Sequence, residues 1–271
     1  MLRQLRSTSH GRNRLLKELE RGAEEDNLQW ATRAVGEMGS GGPDEWTYLL
    51  LLGGSDTLSF RLRVAQSHLR RDMLPSFWSE AALVKLRDLS VARAKAVHVP
   101  LLQPADGPLA TRTNGVVERP LKDFADARRW PNVAVIALPV PQAQILEKVQ
   151  AFQHGRATLD ALEHILRWLA FAWGAARTPN PLTDGIGLPS ACMLETAFAA
   201  ARFDLTPGME SRASCPEAIW VSALHWYDYF ESFAGRQPTG RYTTPHRFPI
   251  DEGGGAPAPR AQVRTRNGRK R

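Results

Sequence analysis

Apolar and polar positions follow different patterns in the two halves of the chain. Residues 12–38 carry Leu, Glu and Ala at helical spacing, which predicts an amphipathic helix. Beyond it, short apolar runs bounded by Gly and Pro predict strands. These runs are EWTYLLLL (45–52), SFRLRVAQ (59–66, with Phe60, Leu62 and Val64 on one side), FWSEAALVKL (77–86), AKAVHVPLL (94–102) and NVAVIALPV (132–140). A short helix is predicted between the last two, at RPLKDFADARRW (119–130).

The second half is dominated by apolar positions at helical spacing. Four helices are predicted there, in QAQILEKVQAFQHG (142–155), TLDALEHILRWLAFAWGAA (158–176), the stretch GIGLPSACMLETAF (185–198) and CPEAIWVSALHWYDYFESF (215–233). Strands grouped before helices are typical of an α+β fold. We therefore expect a mostly antiparallel sheet with a helical bundle packed on one side.

Three regions follow from this pattern. Residues 1–44 form a basic segment and the amphipathic helix, and residues 45–235 form the α+β domain. Residues 236–271 are rich in Gly, Pro and Arg and have too little apolar surface to fold, so a disordered tail is expected there.

The net charge of +7 belongs to the two ends. Residues 253–271 contribute +6 and residues 1–14 contribute +4, which leaves −3 for the rest. A basic tail can bind nucleic acid weakly, but no aromatic residue interleaves with these arginines for base stacking, so a solubilising role is favoured. No apolar run is long enough for a signal peptide or a transmembrane segment, and two cysteines cannot build a disulfide framework. A cytoplasmic protein is expected.

The stretch GIGLPSACMLETAF places two reactive side chains in the first turn of a helix. At 100° per residue, Ser190 shares an apolar stripe with Leu194 and Phe198, whereas Cys192 falls about 200° away. If the stripe packs on the sheet, Ser190 points into a groove between helix and sheet. The free backbone N–H groups of a helix start favour an oxyanion or a thiolate at that place.

Four motifs in this order resemble a known family. They are WSEAALV (78–84), SACMLETAF (190–198), ARFDLTPG (201–208) and SCPEAIW (214–220). Their order and spacing resemble those of the circularly permuted papain-like cysteine hydrolases, the YiiX-like branch of the NlpC type. The resemblance implies a papain-like α+β fold and a hydrolase-like site for amides or thioesters.

The two central positions depart from the family pattern. Ser190 stands where the resemblance implies the nucleophilic Cys, and Glu80 stands where it implies the base His. A serine hydroxyl needs a positioned base, and a carboxylate that is ionised at neutral pH accepts a proton weakly. A catalytically degenerate pseudoenzyme that binds a peptide, an acyl group or a protein partner is therefore expected.

Two alternatives stay open. In the first, His98 on the next strand faces the groove, so that Ser190, His98 and Glu80 form the triad of an active serine hydrolase. In the second, the basic ends associate with nucleic acid.

No metal or cofactor signature occurs, since neither HExxH nor paired CxxC is present. Five further residues are expected to line the groove or to contact a ligand: His68, Trp78, Ser79, Asp184 and Cys192.

Overall fold

A computed structural model describes residues 16–88, 90–105, 110–155, 159–230 and 237–246, and the side chains of 176 and 225–230 are not described. The described chain is an α+β structure built around one mixed sheet. Its seven strands are β1 (Leu16–Glu18), β2 (Thr47–Gly53), β3 (Glu80–Lys85), β4 (Lys95–His98), β5 (Val117–Pro120), β6 (Asn132–Leu138) and β7 (Thr239–Thr243).

The strand order is β1-β7-β6-β2-β3-β4-β5. All neighbouring strands are antiparallel except β1 and β7, which are parallel. The two central strands, β2 and β6, are buried along their whole length. Their side chains therefore contribute to the cores on both faces of the sheet, which is why both read as continuous apolar runs.

The described residues form seven α-helices around the sheet. They are α1 (Asn27–Met38), α2 (Thr57–Ala65), α3 (Ala110–Thr113), α4 (Gln142–His154), α5 (Ala161–Trp173), α6 (Pro189–Ala200) and α7 (Pro216–Phe230). No helix among the described residues is both long and apolar enough to cross a bilayer.

The sheet separates two hydrophobic cores. On one face, which we call the bundle face, residues of α2 and α4 to α7 pack against Leu49, Leu83 and Val97. On the other, which we call the α1 face, Trp30 and Ala34 of α1 pack against a second set of strand residues. Most of the helices cover one face, as the pattern predicts, but α1 closes the other.

The strand predicted at 59–66 is wrong, because these residues form α2. The Asp56 carboxylate caps this helix by accepting from the backbone N–H of Ser59 at 2.9 Å. Leu62 is buried and Val64 is 43% exposed, so residues two apart do not share a face. Arginines between the apolar positions produced the alternation that is typical of a strand. The stretch was too short to distinguish the strand period of 2 residues from the helical period of 3.6.

Two further predictions need correction. The helix predicted over 12–38 begins at Asn27, where Asp26 and Gln29 form a capping box. Residues 16–18 are a strand instead, and residues 12–15 lie outside the described residues. The predicted tail contributes β7, which pairs with both β1 and β6. Residue 236 and residues 247–271 of that tail also lie outside the described residues.

The short helix predicted at 119–130 is reduced to one 3-10 turn at Leu121–Phe124, after β5. The helices predicted in 142–155, 158–176, 185–198 and 215–233 are present as α4 to α7, and residues 231–233 lie outside the described residues. Pro189 and Pro216 occupy the first turns of α6 and α7, where a missing N–H costs no hydrogen bond.

Candidate functional site

Ser190 lies at the head of α6 and is hydrogen-bonded to the backbone of a single residue. Its Oγ donates to the carbonyl oxygen of Val99 at 3.0 Å and accepts from the N–H of Val99 at 3.0 Å. The residue is 2% exposed. The only proton of the hydroxyl is therefore directed at a backbone carbonyl and not at a base.

The position of Val99 explains this contact. The paired register of β3 and β4 ends at Leu83 and Val97, and Val99 lies just beyond it. Buried backbone N–H and C=O groups beyond the paired part of a strand need other hydrogen-bond partners. The Ser190 hydroxyl supplies both, because a hydroxyl is donor and acceptor at once. These two hydrogen bonds thus link the start of α6 to the residue that follows β4.

His98 lies on the opposite face of the sheet from Ser190. Side chains alternate along a strand, and Val97 and Val99 belong to the bundle core. The ring of His98 instead lies edge-on to Phe124 of the α1 core, with centroids 5.6 Å apart. The structure therefore does not bring Ser190, His98 and Glu80 together as the triad that the sequence suggested, because His98 lies between Val97 and Val99 along the strand and its side chain points to the face that α6 does not cover.

Glu80 shares the face of His98. It pairs in register with Leu52, which belongs to the α1 core. Glu80 Oε2 lies 3.8 Å from Nδ1 of His98, too far for a hydrogen bond. Its other oxygen accepts from the N–H of Ala81 at 3.1 Å. The structure thus brings Glu80 and His98 together and places Ser190, at the predicted nucleophile position, on the opposite face of the sheet.

The His98 imidazole is 2% exposed, and neither ring nitrogen has a hydrogen-bond partner among the described residues. A buried polar group without a partner costs free energy. The His98 ring is therefore a core residue whose burial costs free energy.

Cys192 points away from the sheet, toward α5. Its Sγ donates to the carbonyl of Arg212 at 3.1 Å and lies 3.9 Å from Nδ1 of His164. That Nδ1 lies 3.1 Å from the carbonyl oxygen of Gly187, which can only accept, so Nδ1 carries a proton. A nitrogen that already holds a proton cannot take the one on the thiol.

Burial sets the charge state of this pair. It raises the pKa of the Cys192 thiol well above its ordinary value. It also lowers the pKa of His164. Both shifts favour neutral groups, whereas a reactive cysteine needs a thiolate. Burial likewise raises the pKa of Cys215, at the start of α7, to about 12.

The remaining predicted ligand residues do not line a common groove with Ser190. Trp78 is fully buried and packs on Trp220 with centroids 5.0 Å apart. Ser79 accepts from the N–H of Gly54 at 3.0 Å, which joins β3 to the turn after β2. Asp184 is exposed at the end of a 3-10 turn, and His68 lies 3.1 Å from the carbonyl of Ala65.

A buried polar cluster at the start of α7 escaped the sequence reasoning. Glu217 is 1% exposed and accepts from Ser76 Oγ at 2.6 Å, while Arg70 lies 3.4 Å from its other oxygen. Its backbone N–H donates to Gln66 at 2.9 Å. Burial raises the pKa of Glu217 to about 7. The signal available in the sequence was an acidic residue beside Pro216 in an otherwise apolar helix start.

An open groove lies between α4 and the ends of β3 to β5. Its volume is about 500 Å³. Its lining includes the apolar residues Val97, Leu146 and Val149 and, on α4, the polar residues Gln150 and Gln153. On the strand side, Glu118 binds Lys85 at 2.7 Å. A groove lined by both apolar and polar residues can hold a ligand that has both characters.

No three His, Cys, Asp or Glu side chains within the described ranges lie together in a way that would hold a metal ion. Comparisons with protein-family models, with curated proteins and with solved structures find no match to this chain.

Proposed function

We propose that this chain is a catalytically degenerate relative of the circularly permuted papain-like hydrolases that binds a peptide without cleaving it. The family assignment rests on the order of the WSEAALV, SACMLETAF, ARFDLTPG and SCPEAIW motifs. What supports the loss of catalysis is the pair of hydrogen bonds between Ser190 and the backbone of Val99.

A nucleophile needs a base for its proton and space for its substrate. The Ser190 proton is engaged by a carbonyl, and its side of the sheet is closed by the bundle core. Cys192 is fully buried beside a histidine nitrogen that cannot accept its proton. His98 and Glu80 are separated from both residues by the sheet. Among the described residues, neither candidate nucleophile therefore has a base.

The groove between α4 and the strand ends is the binding site that best fits this function. Its volume of about 500 Å³ lies in the range of ligand pockets. Two glutamines offer amide donors and acceptors for a peptide backbone, and the partly exposed Leu146 offers a contact for an apolar side chain.

Turnover assays test the catalytic half of the proposal. Purified wild-type protein, Ser190→Ala and Ser190→Cys are compared on amide, ester and thioester substrates. We expect equal, background rates in all three, because a thiol at this position would still lack a base. Turnover by the wild type that Ser190→Ala abolishes would refute the proposal.

Selection from a phage-displayed random dodecapeptide library tests the binding half. Gln150→Trp fills the groove, and Gln144→Trp makes the same change at an exposed position of α4 that does not line it. We expect peptides to be enriched on the wild type and on Gln144→Trp and lost on Gln150→Trp. No enrichment on the wild type, or equal enrichment on all three, contradicts this site.

A further inference from the structure

The outer side of α5 is an apolar helix face that the other described elements cover only in part. Leu166 is 58% exposed and Trp173 is 66% exposed. They are seven residues apart, so they lie two turns apart on one side of the helix. Leu162 and Leu169 lie on the same side of the helix and are half-buried. We call these four residues the α5 stripe.

The stripe is unusual because α5 is apolar around most of its circumference. Its inner side carries buried Ile165, Trp168 and Ala172. Its exposed charges are Glu163 and Arg167, which pair with each other at 3.1 Å. A helix with apolar residues on nearly every side normally has a partner on each of them.

Helix α2 continues the exposed apolar surface. The Arg61 guanidinium donates to the carbonyl of Ala172 at the end of α5. Val64, one turn after Arg61 on the same side of α2, is 43% exposed. The stripe and Val64 thus border the junction of the two helices.

Charge helps to identify the partner. The exposed charges on α5, its cap and the elements packed beside it balance, with three cations and three carboxylates: Arg61, Arg167, Arg177, Asp160, Glu163 and Asp184. The excess charge lies at the two ends of the chain, and the larger part lies in residues 253–271, which carry six basic and no acidic side chains. A lipid membrane with anionic headgroups is negatively charged at its surface and apolar below it. An apolar patch combined with a polybasic segment complements both properties.

We propose that the α5 stripe docks this protein onto an anionic lipid surface, with residues 253–271 supplying the electrostatic attraction. Trp173 and Leu166 enter the boundary between headgroups and acyl chains, where tryptophan is favoured. A second copy of the chain is a poorer occupant, because two strongly exposed side chains fall far short of the roughly 800 Å² per partner of a stable interface.

Co-sedimentation with vesicles tests this proposal. The full chain is mixed with vesicles of phosphatidylcholine alone and of phosphatidylcholine with about 30% phosphatidylserine, a mixture that gives the anionic surface potential invoked above. We expect binding only to the second, and weaker binding at high salt. The double variant Leu166→Ser, Trp173→Ser should lower binding at least about tenfold. Deletion of residues 253–271 should weaken the preference for phosphatidylserine, because it removes six of the ten basic residues at the two ends of the chain.

Met73→Ser is the matched control. Met73 is 65% exposed, but it lies in the turn after α2 and not on α5. It should bind as the wild type does, and circular dichroism should show that all variants are folded. The proposal is overturned if the wild type does not sediment, or if the double variant sediments equally well. It is also overturned if light scattering shows a wild-type dimer that the double variant breaks. These outcomes do not depend on turnover or on peptide selection, so they leave the proposed function untouched.

Discussion

Replacing Ser190 by alanine tests whether this residue holds the fold together. The hydroxyl is the partner of both backbone groups of Val99, at 3.0 Å each, and it is 2% exposed. Without it, one buried N–H and one buried C=O lose their partner. Each such loss costs about 1–3 kcal/mol, partly offset because the hydroxyl no longer has to be desolvated. We therefore expect a loss of about 2–4 kcal/mol in the free energy of unfolding.

Urea denaturation measures this change. The midpoint should fall with an unchanged slope, because the surface exposed on unfolding stays the same. Hydrogen exchange gives a second readout, since the Val99 amide should exchange faster in the variant. Ser67→Ala is the control, because the Ser67 hydroxyl donates to the carbonyl of Val64 on the surface. It should change stability by less than about 0.5 kcal/mol.

A loss below about 0.5 kcal/mol for Ser190→Ala would refute the reasoning. The two hydrogen bonds would then be replaceable, for instance by water entering the head of α6. The claim that the hydroxyl is closed off from any substrate would fail with it.

Three further predictions concern buried groups. Burial raises the pKa of Glu217 to about 7, so stability from this group is present below its ordinary pKa of 4.5 and is lost as pH rises through 7. Urea denaturation at pH 5 and pH 8 should show a loss of about 1–3 kcal/mol that Glu217→Gln removes, and equal losses in both proteins would contradict it. His98→Leu should leave stability unchanged or raise it, because an unpartnered buried ring is replaced by an apolar group; a drop in melting temperature would mean that the ring has a partner. Gly187→Ala should lower the free energy of unfolding by more than about 2 kcal/mol, because the new Cβ would lie 2.1 Å from the carbonyl oxygen of Ser214. A melting temperature like that of the wild type would show that the backbone at Ser214 can move away at little cost.

The sequence by itself determined most of the elements and their order. Long apolar runs bounded by Gly or Pro identified β2 and β6, and helical spacing with Pro at the first turn identified α6 and α7. These signals are local, because they depend on the side-chain periods of helices and strands and on the residues that begin or end an element. Where the stretch was short, as at residues 59–66, the local signal was ambiguous and the prediction was wrong.

Only the tertiary structure decided which side chains meet. Both faces of the sheet are covered, so β3 and β4 are apolar on both sides and their alternation does not reveal which face α6 packs on. His98 and Ser190 were equally compatible with one groove or with two faces. The outcome depends on contacts between residues about ninety positions apart, such as Ser190 with Val99, which no local pattern records.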